Sequence, residues 1–156
     1  MADKIPGLDG KNLQAYQTDM LPVYAPELLR QAELAAGRAY APYSHFSVGA
    51  ALLLAGGEIT LGCNVENVSY GATVCAERVA IWSAVAQGLL SPEMPPLALA
   101  VTAQPCALCL QVLSEFVRPD FPIILPAEGD FGAVEENVWQ VWRLSDMLPR
   151  VFSFNG

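Results

Sequence analysis

Three cysteines constrain this chain more than any other feature. Cys75 opens the run Cys75-Ala76-Glu77-Arg78, and Cys106 and Cys109 form a Cys-x-x-Cys pair about thirty residues later. Three soft anionic ligands are one short of the four that tetrahedral zinc takes, which leaves a position for water. Any fold that satisfies this pattern must bring two distant segments to one point. Glu77, two residues after the first cysteine, would then lie beside the open position as a proton acceptor. The residues alone also allow a closed four-cysteine site that uses Cys63, or buried cysteines with no metal.

The surrounding pattern gives both segments a helical setting. A helix is expected over 75–88, with Val79, Ile81, Trp82 and Val85 mostly inward. A second opens at Pro105-Cys106 and runs through Phe116. Cysteines in a first turn face exposed N–H groups and the positive end of the helix dipole, which stabilises thiolates. Upstream, Pro26-Glu27 suits the start of a helix with Leu28, Leu29, Ala32, Ala35 and Ala36 at helical spacing, ended by Gly37. Residues 46–54 and 59–63 read as a hairpin around Ala55-Gly56-Gly57-Glu58. Residues 64–73 read as a polar loop. The apolar run 97–103 suits a central strand buried on both faces. Further strands are expected over 121–125 and 138–143, then a turn of helix over 145–149 and an aromatic tail with Phe152 and Phe154. Helix, hairpin and then alternating helix and strand predict a three-layer α/β/α architecture with a mixed sheet of about five strands. Residues 1–24, rich in Gly, Pro and Asp, read as an N-terminal extension of a single domain over 25–156.

Composition narrows the ligand. The net charge is −8, and the eight Lys and Arg residues are scattered among 156. A chain that tracks a phosphate backbone needs clustered cations, so a small neutral ligand is expected and a nucleic acid is not. Hydrophobic residues make up 53% of the chain, enough for a full core with apolar surface left for another subunit. No apolar run has the length of a membrane span, and the N-terminus lacks a signal-peptide pattern. A cytoplasmic location is expected, where thiols stay reduced and serve metals in preference to disulfides.

Four blocks of sequence together resemble the cytidine deaminase family. They are Ala39–Leu53 (AYAPYSHFSVGAALL), Gly62–Gly71 (GCNVENVSYG), the CAER run with Pro105-Cys106-Ala107-Leu108-Cys109, and Leu148–Phe152 (LPRVF). They occur in family order and span about residues 27–152. The likeness is strongest to the small, three-cysteine branch that acts on free nucleosides.

That resemblance implies a cytidine deaminase-like fold and one zinc ion per chain held by Cys75, Cys106 and Cys109. It implies hydrolysis of cytidine and 2′-deoxycytidine to uridine and 2′-deoxyuridine, a step of pyrimidine salvage. Glu77 would move protons and would not ligate the metal. Arg78 would hydrogen-bond the ligand sulfurs and offset the excess negative charge of three thiolates. Asn64 and Glu66 would hold the ribose 3′-hydroxyl, Phe46 and Val48 would flank the pyrimidine, and the Ala76 N–H would meet the base carbonyl. Val68, Tyr70 and Phe152 match segments that complete a neighbouring subunit's site, which implies a homotetramer.

His45, the single histidine, lacks a Glu two residues on and is read as a non-ligand. Cys63 is read as a buried thiol or one near the ligands. The chain departs from the family pattern at Leu110, where Arg is usual, and at Ala107, where Gly is usual. Two other readings share many of these residues: a deaminase of a modified or antibiotic nucleoside, and a zinc-stabilised binding module without catalysis.

Overall fold

A five-stranded sheet carries the molecule, in the order β2-β1-β3-β4-β5. The computed structural model describes residues 21–127 and 139–153. The strands are β1 (Gly49–Leu53), β2 (Ile59–Cys63), β3 (Ala98–Val101), β4 (Pro122–Pro126) and β5 (Trp139–Arg143). β1 pairs antiparallel with both β2 and β3, β3 runs parallel to β4, and β4 is antiparallel to β5. The mixed pattern and strand number match the sequence expectation. β3, made only of Ala, Leu and Val, occupies the centre with all four residues buried.

Alternation along the strands divides the core in two. Ala51, Leu53, Ala98, Ala100 and Ile124 face helix α1 (Leu21–Ala36) and pack with its Tyr24, Leu28, Leu29 and Ala32. Ala50, Leu52, Leu99, Val101 and Ile123 face the opposite layer. There α2 (Ala76–Ala86) and α3 (Ala107–Ser114) cover the sheet with Ala76, Ala80, Ile81, Leu110 and Leu113. A short helix, α4 (Leu144–Met147), closes this side through Leu144. The result is helix, sheet, helix.

Two glycines set how closely the helices approach. A Cβ on Gly49 would stand 1.8 Å from the Ala32 carbonyl oxygen of α1. A Cβ on Gly62 would stand 2.2 Å from the Ala76 carbonyl oxygen and 2.5 Å from the Ala80 nitrogen of α2. Backbone meets backbone at both places, so no larger residue fits without moving a helix.

Several boundaries differ from the sequence expectation. Residues 21–24, expected within the extension, are helical and belong to α1, so Pro26 lies inside it. An internal proline costs a helix about 3 kcal/mol. The fully buried Tyr24 and Ala25, which precede the proline, are brought into the core by the added turn and offset that cost. β1 begins at Gly49 where residue 46 was expected: the Val48 carbonyl still accepts the Asn64 N–H, but the Val48 N–H and the Phe46 carbonyl are taken by the Asn64 side chain. α3 ends at Ser114, after which Glu115 and Phe116 donate to carbonyls three residues back. Residues 1–20, Val138 and Phe154, each named in the sequence expectations, lie outside the described residues.

Candidate active site

The strand register brings the distant segments together. Gly49 pairs with Cys63 and Ala50 with Val101, so the start of β1 and the ends of β2 and β3 share one edge. The chain leaves β2 there for α2 and leaves β3 there for α3. Both helices therefore begin at the same end of the sheet. Cys75 is the N-cap residue of α2, Cys106 is the N-cap residue of α3, and Cys109 lies in the first turn of α3. Neither thiol makes a side-chain cap hydrogen bond, so both sulfurs are directed to the cluster they form with Cys109.

The sulfurs of Cys75, Cys106 and Cys109 all lie within 4.8 Å of one another, and those of Cys106 and Cys109 are 3.5 Å apart. Zn–S bonds of about 2.3 Å at tetrahedral angles put sulfurs about 3.8 Å apart, so these three fit a zinc ion with little movement. Cys63 is not among them; its thiol donates to the Arg38 carbonyl at 3.5 Å. This arrangement excludes the closed four-cysteine alternative. His45 is also outside the cluster and adopts φ 55°, a turn conformation that histidine tolerates better than most residues.

Burial is graded across the cluster. Cys106 is exposed, Cys75 intermediate and Cys109 buried. Burial, followed by the charge of Glu77, pushes the Cys109 thiol well up. A thiolate at that position needs a cation in contact with it, which is what a metal ion supplies. Burial also raises the Cys106 thiol, but the Cys109 N–H and the neighbouring thiols outweigh it and leave Cys106 below its usual value.

Glu77 sits in the first turn of α2 and is 4% exposed. Burial lifts its carboxyl above the ordinary carboxylate range, opposed by its own backbone N–H, by Cys109 and by Arg78. A carboxyl whose charged form is disfavoured in this way takes up a proton more readily than an exposed one. Arg78 donates from Nη2 to the Thr73 carbonyl at 3.3 Å and to Cys75 Sγ at 3.8 Å. Partial burial opposes its charge, yet the sulfurs of Cys75 and Cys109 prevail and hold its pKa above the usual value. Leu110 is directed into the core and contributes nothing polar to the cluster.

The residues expected to meet a nucleoside surround this edge in a different manner. Asn64 is buried, and its amide braces the preceding loop: Oδ1 accepts from the Val48 N–H at 2.8 Å and Nδ2 donates to the Phe46 carbonyl at 2.8 Å. One lone pair and one N–H remain for a ligand. Glu66 accepts the N–H groups of Tyr43 and Ser44 at 2.9 and 3.2 Å, and the Ser44 hydroxyl donates to it as well. The Ser44 hydroxyl leads the effects that hold the Glu66 carboxyl below its usual value. A cavity of about 380 Å³ beside Glu66 is lined by Tyr43, Ser44, Asn67, Tyr70 and Thr73.

Phe46, Val68, Tyr70 and Phe152 are exposed by 51, 76, 76 and 72%. Val48 is partly buried against the core and Ala76 fully buried.

Two residues that fasten segments around the cluster are given no such role in the sequence expectations. Gln111 grips the tail with both ends of its amide, accepting the Phe152 N–H at 3.0 Å and donating to the Phe152 carbonyl at 2.9 Å. Its position one turn after the Cys-x-x-Cys pair gave no sign of a partner 41 residues away. Gly62 was read as part of a strand and of a family block but given no packing role, although its missing side chain lets the start of α2 reach the sheet.

A model of the cytidine and deoxycytidylate deaminase zinc-binding region matches residues 24–124. A cytidine deaminase of Sporosarcina psychrophila is 40% identical over 134 residues, covering 81% of this chain and 90% of that one. The crystal structure of cytidine deaminase from Burkholderia pseudomallei superposes with a TM-score of 0.69 at 39% identity, covering 81% of this chain and 97% of that one. The structure of the Mycobacterium tuberculosis cytidine deaminase gives 0.66 at 36% identity, covering 82 and 96%. With the three-sulfur cluster and the helix termini that present it, these likenesses show that the chain belongs to the cytidine and deoxycytidylate deaminase family.

Proposed function

We propose that this protein is a zinc-dependent cytidine deaminase that hydrolyses cytidine and 2′-deoxycytidine to the corresponding uridines and ammonia. The observation that carries the mechanism is a nearly buried carboxyl, Glu77, in the same helical turn as one of three clustered sulfurs. Cys75, Cys106 and Cys109 hold the zinc ion. When bound, it acts as a Lewis acid that lowers the pKa of water at the remaining position.

Glu77 takes a proton from the attacking water and delivers it to N3 of the cytosine ring as oxygen adds to C4. The carboxyl then moves the second proton of that oxygen to the amino group. The C4–N bond breaks, ammonia leaves and the C4 carbonyl forms. Water supplies the oxygen, and Glu77 ends as it began. The Ala76 N–H, unpaired within the first turn of α2, donates to the base carbonyl. Arg78 bonds to the ligand sulfurs and moderates their charge. Asn64 and Glu66 receive the ribose 3′-hydroxyl with the bonding capacity that their loop contacts leave over. Phe46 and Val48 contact the pyrimidine.

The assembly is a homotetramer in which Val68, Tyr70 and Phe152 complete a neighbour's site. Their high exposure supports this, since large apolar side chains around a pocket gain most from being covered. A cytoplasmic role in pyrimidine salvage accords with the four free cysteines. No described helix is long and apolar enough to cross a membrane.

The test measures zinc content and ammonia release from cytidine, deoxycytidine and cytosine for the wild type and Glu77→Gln. Turnover of both nucleosides that disappears in Glu77→Gln, with zinc retained, is the expected result. A zinc-loaded wild type inactive on all three would favour the binding module or a modified nucleoside. Activity kept by Glu77→Gln would remove it as the proton carrier.

A further inference from the structure

The hydrogen bonds of Arg78 do not by themselves hold its guanidinium in place. Its two measured hydrogen bonds both leave from Nη2, at 3.3 Å to an oxygen and 3.8 Å to a sulfur, the Cys109 sulfur adds to the pull on the group, and Nε is buried without a partner. A planar, five-donor group held at one nitrogen can still swing about that point. Its remaining contact is aromatic. Trp82, one helical turn further along α2, lies with its ring centroid 5.6 Å from Arg78 Cζ, within the range of a cation–π interaction.

Trp82, like Val85 further along α2, stands on the solvent side of the helix. It is 48% exposed and contributes nothing to either core cluster, although the sequence pattern placed it on the inward face of the helix. We propose that Trp82 is a positioning residue whose ring holds the Arg78 guanidinium against the metal-binding sulfurs. This inference rests on Cys75, Cys106 and Cys109 being the zinc ligands.

An aromatic ring suits this task for an electrostatic reason. A carboxylate would hold Arg78 more firmly but would neutralise it, and the sulfurs would lose the benefit of its charge. The ring's quadrupole attracts the cation and leaves its formal charge intact. Three thiolates and a divalent ion remain net negative, and one undiminished positive charge offsets that excess. Leu110, buried in the core, offers no alternative cation on α3.

The experiment follows the rate at which zinc passes from the full-length protein to a colorimetric chelator. Trp82→Leu and Trp82→Gln should release zinc about threefold faster than the wild type, in line with a half-exposed cation–π contact. Trp82→Phe, which keeps a ring, should restore most of the difference. The decisive comparison is with Arg78→Gln: adding Trp82→Leu to that variant should change the release rate no further. A ring that merely stabilised the helix would act equally in both backgrounds. Equal acceleration with and without Arg78, or wild-type release from both Trp82→Leu and Trp82→Gln, would overturn the proposal. A wild-type protein that binds no zinc would instead overturn the ligand assignment, and this inference with it.

Discussion

The two sides of the site differ in how much of their structure one chain supplies. On the zinc side, Ala76, Glu77 and Cys109 are buried, and two helix starts hold the cysteines within bonding distance of a common point. On the nucleoside side, Phe46, Val68, Tyr70 and Phe152 have more than half their surface in solvent. Their support is mainly backbone: the Asn64 amide under residues 46–48, the Glu66 carboxylate under 43–44 and the Gln111 amide at the tail. The sulfur cluster thus sits where packing is tight, and the residues proposed to meet the nucleoside sit where loops are fastened at a few points and side chains remain free to be covered.

This contrast can be broken from either side. The largest effect is expected from Cys109→Ser, which removes the buried sulfur and leaves a poorer ligand beside Glu77. Zinc content should fall to a small fraction of the wild type and activity should disappear with it, as measured by metal analysis of the purified protein. Glu77→Gln should lower kcat by about 10²–10⁴-fold while zinc stays bound, since only the proton carrier is lost. Loss of zinc in that variant would mean that the carboxyl holds the cluster together.

Gly62→Ala tests the packing beneath the zinc side. The new Cβ meets backbone 2.2 Å away, so α2 must shift, and overpacking of this kind costs about 1–3 kcal/mol. Thermal unfolding should show a reduced midpoint, and activity should fall in the folded enzyme because Cys75 and Glu77 move with the helix. The smallest effect belongs to the nucleoside side. Gln111→Leu removes both tail bonds of net worth roughly 0.5–1.5 kcal/mol each, so KM for cytidine should rise several-fold with zinc content unchanged. A change in zinc retention without a change in KM would place Gln111 on the other side of the comparison.

Much of the zinc side was legible in the chain. Cys75, Glu77, Cys106 and Cys109 lie at short local spacings, and each spacing has a direct consequence on a helix N-terminus. The sheet was also legible, because the runs at 49–53 and 98–101 contain too little polar character for any exposed position. Helix and strand ends were less so. Pro26 suggested a helix start, but the burial of Tyr24 and Leu28 extends α1 across it. Phe46 and Val48 have strand-like spacing, yet the Phe46 carbonyl and the Val48 N–H are taken by a side chain 16–18 residues away, and no local pattern records such a bond.

The sequence by itself determined the ligand set, the acid beside it and the alternation of apolar segments, because each depends on residue type at short separation. The tertiary structure alone decided that β1, β2 and β3 would bring both helix starts to one edge, that Cys63 would lie apart, and that Gly62 would be where α2 meets the sheet backbone to backbone. It also decided that Trp82, expected to face inward, would stay half exposed over Arg78. A helix can present only one side to the sheet, and the close contact of Ala76 and Ala80 with Gly62 fixes which side that is.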